Sequence, residues 1–430
     1  MAQAADPPFL VALNLTRRCN LACAHCYLDA GIRRNGDDAE LATAEVAAVL
    51  DGIAALGGAT MVVLTGGEPL LRPDLEAIAR HAAGLGLMVV VGTNGTALDA
   101  KRVASLRNAG IAGVGISVDS LDPTYHDRFR GRPGAWARTM AAIDACRQGG
   151  LAFQIHFSVT DRNAAELDAM IVFARSAGAL VLNVFFLVCT GRGERFADIS
   201  AGVYDDVLRR VTRAARAETK LLVRAKCAPH FKRMAMELDP AWPITLAHGY
   251  EAGGCLAGTR YCRVTPEGEV TACPYIETPV GSVRAAPFAE IWRDAPMFHR
   301  LRAPALEGRC GACEYRRICG GCRARPLARD GALMGEDFLC VYKPRGGAAI
   351  EPLCDAGGGI AWSPEAERRL ARVPPFLRRM VRTRVEAEAR RRGCDTVTVG
   401  DMQASMERRF AGAEPPPGAG RFPGRWNRHA

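Results

Sequence analysis

The stretch "NLTRRCNLACAHCYLDAG", residues 14–31, sets Cys19, Cys23 and Cys26 in a C-x3-C-x2-C spacing directly after an apolar run. A structural zinc site wants four ligands, usually as two close pairs. No fourth cysteine stands near this triplet. A cubane iron–sulfur cluster has four irons, so three thiolates leave one iron open to another ligand.

Working outward, the 430 residues exceed one ordinary domain, and two or three are expected. A hydrophobic content of 49% with 24% charged residues is that of an ordinary globular chain. The opening "MAQAADPPFLVALNLTRRC" has no basic segment followed by a long apolar one. No apolar run approaches the roughly 20 residues a bilayer span needs. A cytoplasmic location is therefore expected, and thiols there serve more often as metal ligands or catalysts than in disulfides. Of the 16 cysteines, Cys146, Cys189 and Cys394 stand alone and read as small buried apolar residues. Cys227 and Cys354 receive no role. The net charge of +10 is uneven, with 15 Arg against 8 Asp plus Glu in residues 360–430. Basic surface can serve nucleic acid, membrane or a polyanionic small molecule, although solvated helices present the same arginines.

From residue 9 to about 190, β-rich runs alternate with amphipathic segments. The strand candidates are 9–15, 60–65, 87–93, 112–118, 152–159 and 180–188, with helical segments between them. Apolar strands each followed by a helix predict a parallel sheet. Six such units fall two short of a full eight-stranded barrel and leave a side open. The expected fold is thus α/β, a partial (β/α)6 TIM-type barrel over 9–200. A helical connector (201–253), a cysteine-rich domain (254–345) and a glycine-rich linker (346–360) follow. A small all-α domain (361–411) and a disordered tail (412–430) complete the chain. Parallel α/β folds place their sites at the C-terminal strand ends. There the first strand delivers the cysteines, the second "TGGEP", the third "GTNGT" and the fourth "SVDS".

The cysteine triplet followed by "GGEP" resembles the radical S-adenosylmethionine (radical SAM) superfamily over roughly residues 9–195. The resemblance implies that Cys19, Cys23 and Cys26 hold a 4Fe–4S cluster whose open iron binds S-adenosylmethionine. An electron from the cluster would then release methionine and a 5′-deoxyadenosyl radical that abstracts hydrogen. Gly66 and Gly67 would let the backbone approach the methionine end, and Glu68 would accept from its ammonium. His25 and Tyr27 would contact the adenine. Asn94, Ser117 and Asp119 are candidates for the ribose hydroxyls or carboxylate, and Arg192 for the methionine carboxylate or a substrate propionate.

Further along, "GGCLAGTRYCRVTPEGEVTACPY" and "CGACEYRRICGGC", followed by Cys340, supply eight cysteines. Two fully ligated cubanes or two zinc ribbons would use that number. The pattern resembles the SPASM extension, which carries two auxiliary 4Fe–4S clusters. Carried over, Cys255, Cys262, Cys273 and Cys322 would bind the first, and Cys310, Cys313, Cys319 and Cys340 the second. Cys319 and Cys322 are separated by two residues, where the family commonly has three.

SPASM enzymes divide broadly into peptide-modifying and tetrapyrrole-modifying groups. Residues 306–340 resemble the haem-forming and nitrite-reductase haem-forming members, which act on side chains of iron porphyrinoids. Residues 362–402 resemble the small helical domain of a light-independent protochlorophyllide reductase subunit. In that unit Phe376 and Val381 form an apolar face, while Arg378, Arg379, Arg382 and Arg384 could meet propionates. The resemblance implies oxidative decarboxylation of a propionate on a tetrapyrrole, with an electron donor such as flavodoxin or ferredoxin. A peptide maturase is the alternative; the eight residues before the first strand are too few for a leader-binding domain. A basic, non-enzymatic iron–sulfur sensor that binds nucleic acid is the remaining reading, with salt-sensitive binding as its mark.

Overall fold

The computed structural model describes residues 6–31, 39–58, 60–188, 190–195, 199–238, 254–351 and 360–410, apart from 372, 374–380, 383–384, 387 and 391. Seven parallel strands lie side by side in chain order: β1 (Leu10–Asn14), β2 (Met61–Thr65), β3 (Met88–Thr93), β4 (Gly113–Ser117), β5 (Phe153–Val159), β6 (Val181–Phe186) and β7 (Leu222–Lys226). The six expected strands are all present. The seventh lies in the stretch expected to be a helical connector, between α7 (Ala201–Ala217) and α8 (His230–Leu238). Its sequence LVRAK puts polar side chains on one face. Such alternation belongs to a strand with one open side, and does not read as a strand buried on both.

On the other side of β1 the sheet continues. Strand β8 (Tyr261–Val264) pairs with β1 in parallel, and β9 (Glu269–Cys273) and β10 (Ile276–Ser282) add antiparallel partners. The first part of the cysteine-rich region is therefore built onto the barrel sheet. The ten strands run β10-β9-β8-β1-β2-β3-β4-β5-β6-β7, an arc whose edges are β10 and β7 among the described residues.

Side chains alternate across a strand, so each strand splits its residues between two faces. Val11, Leu13, Val62, Leu64, Val89, Val91, Ile155, Phe157, Leu182, Val184 and Val223 are buried in one continuous core. Burying each such side chain contributes about 1.5–3 kcal/mol, which pins the register. The alternate residues face the inside of the arc, called the lumen below.

Local chemistry sets the helix ends that matter for the site. Helix α4 (Pro123–Arg130) starts at Asp122, whose carboxylate accepts from Thr124 N, with Pro123 in the first turn. It stops at Gly131, which has φ +68°. A Cβ there would also lie 2.5 Å from the Ala22 carbonyl oxygen. Glycine is thus required both by the left-handed cap and by the approach of the cysteine loop.

The C-terminal unit has its own small core of Ala366, Leu370, Val385, Ala389, Val397 and Met402. Expected to be all helical, it also holds a two-strand parallel pairing of Ala361–Trp362 with Thr396–Val397. Phe376, Arg378, Arg379 and Arg384 lie outside the described residues, as do Cys189 and Cys354. Val381 packs on the small core. Arg382 pairs with Glu367 at 2.6 Å and stacks over Trp362 at 4.6 Å. Among the described residues no helix is long and apolar enough to cross a membrane.

Candidate functional site

The loop after β1 carries Cys19, Cys23 and Cys26 and is fixed from three sides. Its backbone closes on itself through Cys19 N to Gly31 O, and donates to the end of α4 through Ala24 N to Phe129 O. From the end of β6, Arg192 donates to the carbonyls of Cys23 (3.2 Å) and Ala30 (2.8 Å) and pairs with Asp29 at 2.9 Å. From the end of β2, Gly67 N donates to Thr16 O and Glu68 N to Arg18 O. Burial pushes the Cys19 thiol up to about 12, and the neighbouring Cys23 and Cys26 add to the rise. Burial also raises Cys23, against Arg130, whose guanidinium lies 3.8 Å from its sulfur. Three converging thiols with one cation beside them fit a metal cluster, because iron's charge is what deprotonates them. Among the described residues no trio of His, Cys, Asp or Glu is placed to hold a single metal ion.

Several residues expected to contact S-adenosylmethionine are occupied by the protein itself. Glu68 is fully buried and accepts from Leu70 N (3.1 Å), Thr93 Oγ1 (2.7 Å) and Asn94 N (2.8 Å). It buckles the β2 and β3 ends together and does not reach open space. Gly66 and Gly67 serve the same packing: a Cβ on Gly67 would lie 2.2 Å from the Arg18 carbonyl oxygen. The side chain of Asn94 donates to Asn20 at 2.8 Å and accepts from Thr96, tying the β3 end to the cysteine loop. Asp119 is fully buried, with Oδ1 accepting from Ser158 N and Oδ2 paired to Arg130 at 2.5 Å. Burial raises the Asp119 carboxyl, yet Arg130, His25 and His126 hold it below its ordinary value. A group buried in this way must be satisfied internally, since unpaired burial costs several kcal/mol.

His25 and Ser117 retain some exposure. The His25 ring stacks on Phe129 at 4.3 Å, and burial lowers its pKa to about 4, so it stands neutral. Tyr27 points elsewhere than expected. Its hydroxyl accepts from Asn14 Nδ2 at 3.1 Å, and its ring meets Tyr275 edge-on at 5.7 Å, on the side of the second cysteine field.

In that field the charges that act on the cysteines group them. The charges acting on Cys273 are those of Cys227, Cys255 and Cys322, and Cys227 in turn feels Cys322 and Cys255. Cys262 is absent from both groups. It is fully buried in the apolar core beside Val264 and pairs in register with Val11, on the face away from the lumen. Strand alternation gives the lumen side to its neighbour Arg263. Cys227 follows β7 with φ +57°, and its carbonyl accepts twice from Arg325. The set of Cys310, Cys313, Cys319 and Cys340 lines one cavity together. A buried network joins the two sets: Asp337 accepts from Cys322 N (2.8 Å), pairs with Arg325 (3.2 Å), and donates its own N–H toward Cys310 Sγ.

Between the opening loop and this field lies the lumen. Its walls at β5–β7 carry Gln154, His156, Asn183, Arg224 and Lys226. Gly92 and Gly115 keep one side shallow, and a Cβ on Gly115 would meet the His156 ring at 2.4 Å. Burial and then Arg224 lower the Lys226 ammonium to about 7.

Comparison with known proteins places this geometry. Residues 13–174 match the Radical SAM superfamily, residues 255–322 an iron–sulfur cluster-binding domain of SPASM type, and residues 362–405 the proto-chlorophyllide reductase 57 kD subunit. An AdoMet-dependent heme synthase from Methanosarcina barkeri is 40% identical over 346 residues, 79% of this chain and 98% of that protein. The chain belongs to the radical SAM superfamily. A pre-heme d1 synthase from Dinoroseobacter shibae is 33% identical over 78% of this chain and 86% of its own length. Streptococcus suis SuiB bound to the precursor peptide SuiA shares the fold, with TM-score 0.63 at 17% identity over 79% of this chain and 77% of that one.

This radical SAM enzyme uses a 4Fe–4S cluster and S-adenosylmethionine and carries a SPASM iron–sulfur domain. That it is an enzyme removes the non-enzymatic sensor reading. Sequence reasoning missed Arg130, Cys227 and the lumen cations. The signal for Cys227 was slight: a cysteine ending a polar–apolar alternation, "LVRAKC". For Arg130 there was none, because its partners Cys23 and Asp119 are distant in sequence.

Proposed function

We propose that this radical SAM enzyme oxidatively decarboxylates a propionate side chain of an iron porphyrinoid in haem-type biosynthesis. The observation that carries the reading is the 40% identity to an AdoMet-dependent heme synthase over 98% of that protein's length. When bound, the first cluster and S-adenosylmethionine supply a carbon-centred radical that takes one hydrogen atom. The propionate carbon next to the ring gives up that hydrogen; carbon dioxide and one electron then leave, and a vinyl group remains. Cys19, Cys23 and Cys26 hold the first cluster, with Arg130 beside Cys23 offsetting negative charge. His25, neutral and partly exposed, and Ser117 at the end of β4 face the cofactor.

In the auxiliary region, Cys227, Cys255, Cys273 and Cys322 form one ligand set and Cys310, Cys313, Cys319 and Cys340 the other. Four thiolates fill every iron, which suits these groups to carry the departing electron rather than bind substrate. In this reading the barrel extends through β7, the auxiliary region covers 254–345, and the C-terminal helical unit covers 361–411. The test is anaerobic incubation of reconstituted enzyme with iron-coproporphyrin, S-adenosylmethionine and a reductant. Decarboxylated product with matching 5′-deoxyadenosine is the expected result. Deoxyadenosine without decarboxylated product removes this substrate, and a short peptide then becomes the class to try.

A further inference from the structure

Strands β5, β6 and β7 place four polar side chains in adjacent rows. The register pairs His156 with Asn183 and Asn183 with Arg224, and in the next row Phe185 with Lys226. Their neighbours Ile155, Leu182, Val184 and Val223 are buried in the apolar core on the opposite face. His156, Arg224 and Lys226 therefore open into the lumen, and each keeps partial exposure.

Among the described residues the Lys226 ammonium makes no hydrogen bond or ion pair, and the charges acting on it are Arg224 and the Cys227 thiol. Asp119, the carboxylate that acts on His156, is already paired with Arg130. An independent feature lies one strand away. Asn183 is 3% exposed; its Nδ2 donates to Gln154 at 2.6 Å, while its Oδ1 is buried without a partner among the described residues. Oxygen and nitrogen of an amide exchange places by a rotation of the side-chain amide. A joint flip of Asn183 and Gln154 keeps their mutual bond and puts a donor where the unpartnered oxygen stands. A buried amide left unsatisfied, one row from the Lys226 ammonium on the same face of the sheet, is a site built for an anion.

We infer that Lys226 and Asn183 anchor a carboxylate of the substrate in the lumen, with Arg224 and His156 completing the wall. The inference rests on the proposed tetrapyrrole reading, whose substrates carry several carboxylates. The methionine carboxylate of the cofactor has the same chemistry. Lys226, however, directly precedes Cys227, which stands with Cys255, Cys273 and Cys322 of the auxiliary field. This position favours the substrate.

The experiment is an anaerobic Soret titration of reconstituted full-length enzyme with iron-coproporphyrin and with its tetramethyl ester, which keeps the ring and lacks the charges. Lys226→Met should weaken binding of the acid roughly 10- to 100-fold, the worth of one buried charge-assisted hydrogen bond. Lys226→Arg should restore most of it, and the ester should bind wild type and variant alike. Asn183→Ala, on another strand, should weaken the acid in the same direction; it decides the matter if Lys226→Met loses iron. Unchanged acid binding by both variants overturns the inference while leaving the function standing. A rise only in the S-adenosylmethionine concentration needed for uncoupled cleavage assigns the anchor to the cofactor and also overturns it. Failure of wild type to bind either porphyrin sinks the functional reading and the inference with it.

Discussion

Replacing Cys227 and Cys262 by alanine, one at a time, separates a ligand from a packing residue. Three cubanes bring about 12 irons per chain after anaerobic reconstitution. Cys227 stands among Cys255, Cys273 and Cys322, so Cys227→Ala removes one of four thiolates and should lower the count by up to about four. Cys262 is fully buried in apolar surroundings and its thiol is pushed far up by that burial. Cys262→Ala should leave the iron count unchanged and cost about 1–2 kcal/mol through lost burial and a small cavity. Its thermal midpoint should fall by a few degrees. Alanine is the right replacement at both sites. Serine could still ligate iron at 227, and at 262 it would bury a hydroxyl without a partner. Iron and sulfide analysis per chain, with paramagnetic resonance of the reduced protein, reads the result. Full iron in Cys227→Ala together with a loss of about four in Cys262→Ala would refute the reasoning.

Gly67→Ala places a methyl group 2.2 Å from the Arg18 carbonyl oxygen; the cysteine loop should shift, and reconstituted iron and deoxyadenosine release should both drop, whereas normal values would show that the loop yields freely. Arg130→Met strands the buried Asp119 carboxylate at a cost of about 3–5 kcal/mol. The double variant with Asp119→Asn should recover part of the lost thermal midpoint, and no recovery would mean that the pair is not coupled. His126 is buried and accepts from Asp119 N, and burial followed by Arg130 lowers its pKa to about 4. The unfolded chain takes up that proton near pH 6.5, so the histidine's contribution is intact above that pH and shrinks as pH falls toward 4. His126→Asn should flatten the fall in thermal midpoint between pH 7 and 5; parallel slopes would count against the assignment.

The local motifs were legible in the sequence because their partners are close along the chain. Cys19, Cys23 and Cys26 share one loop, and Cys310, Cys313 and Cys319 share another. The first six strands announced themselves as continuous apolar runs. Strand β7 did not, since two of its five side chains, Arg224 and Lys226, are cations facing the lumen.

What tertiary structure alone decided is which side chains face one another. Cys262 lies closer in sequence to Cys255 and Cys273 than Cys227 does, yet the alternation of β8 turns it into the core, while the parallel addition of β7 delivers Cys227. Glu68, Asn94, Asp119 and Arg192 read as cofactor contacts because they stand at the strand ends of a sequence that resembles the radical SAM superfamily. Folding surrounded them with backbone donors, carbonyls and opposite charges, because a polar group carried out of water must find its partners there. Residue type and spacing set the chemistry available to this chain; long-range packing chose which groups were left over for a ligand.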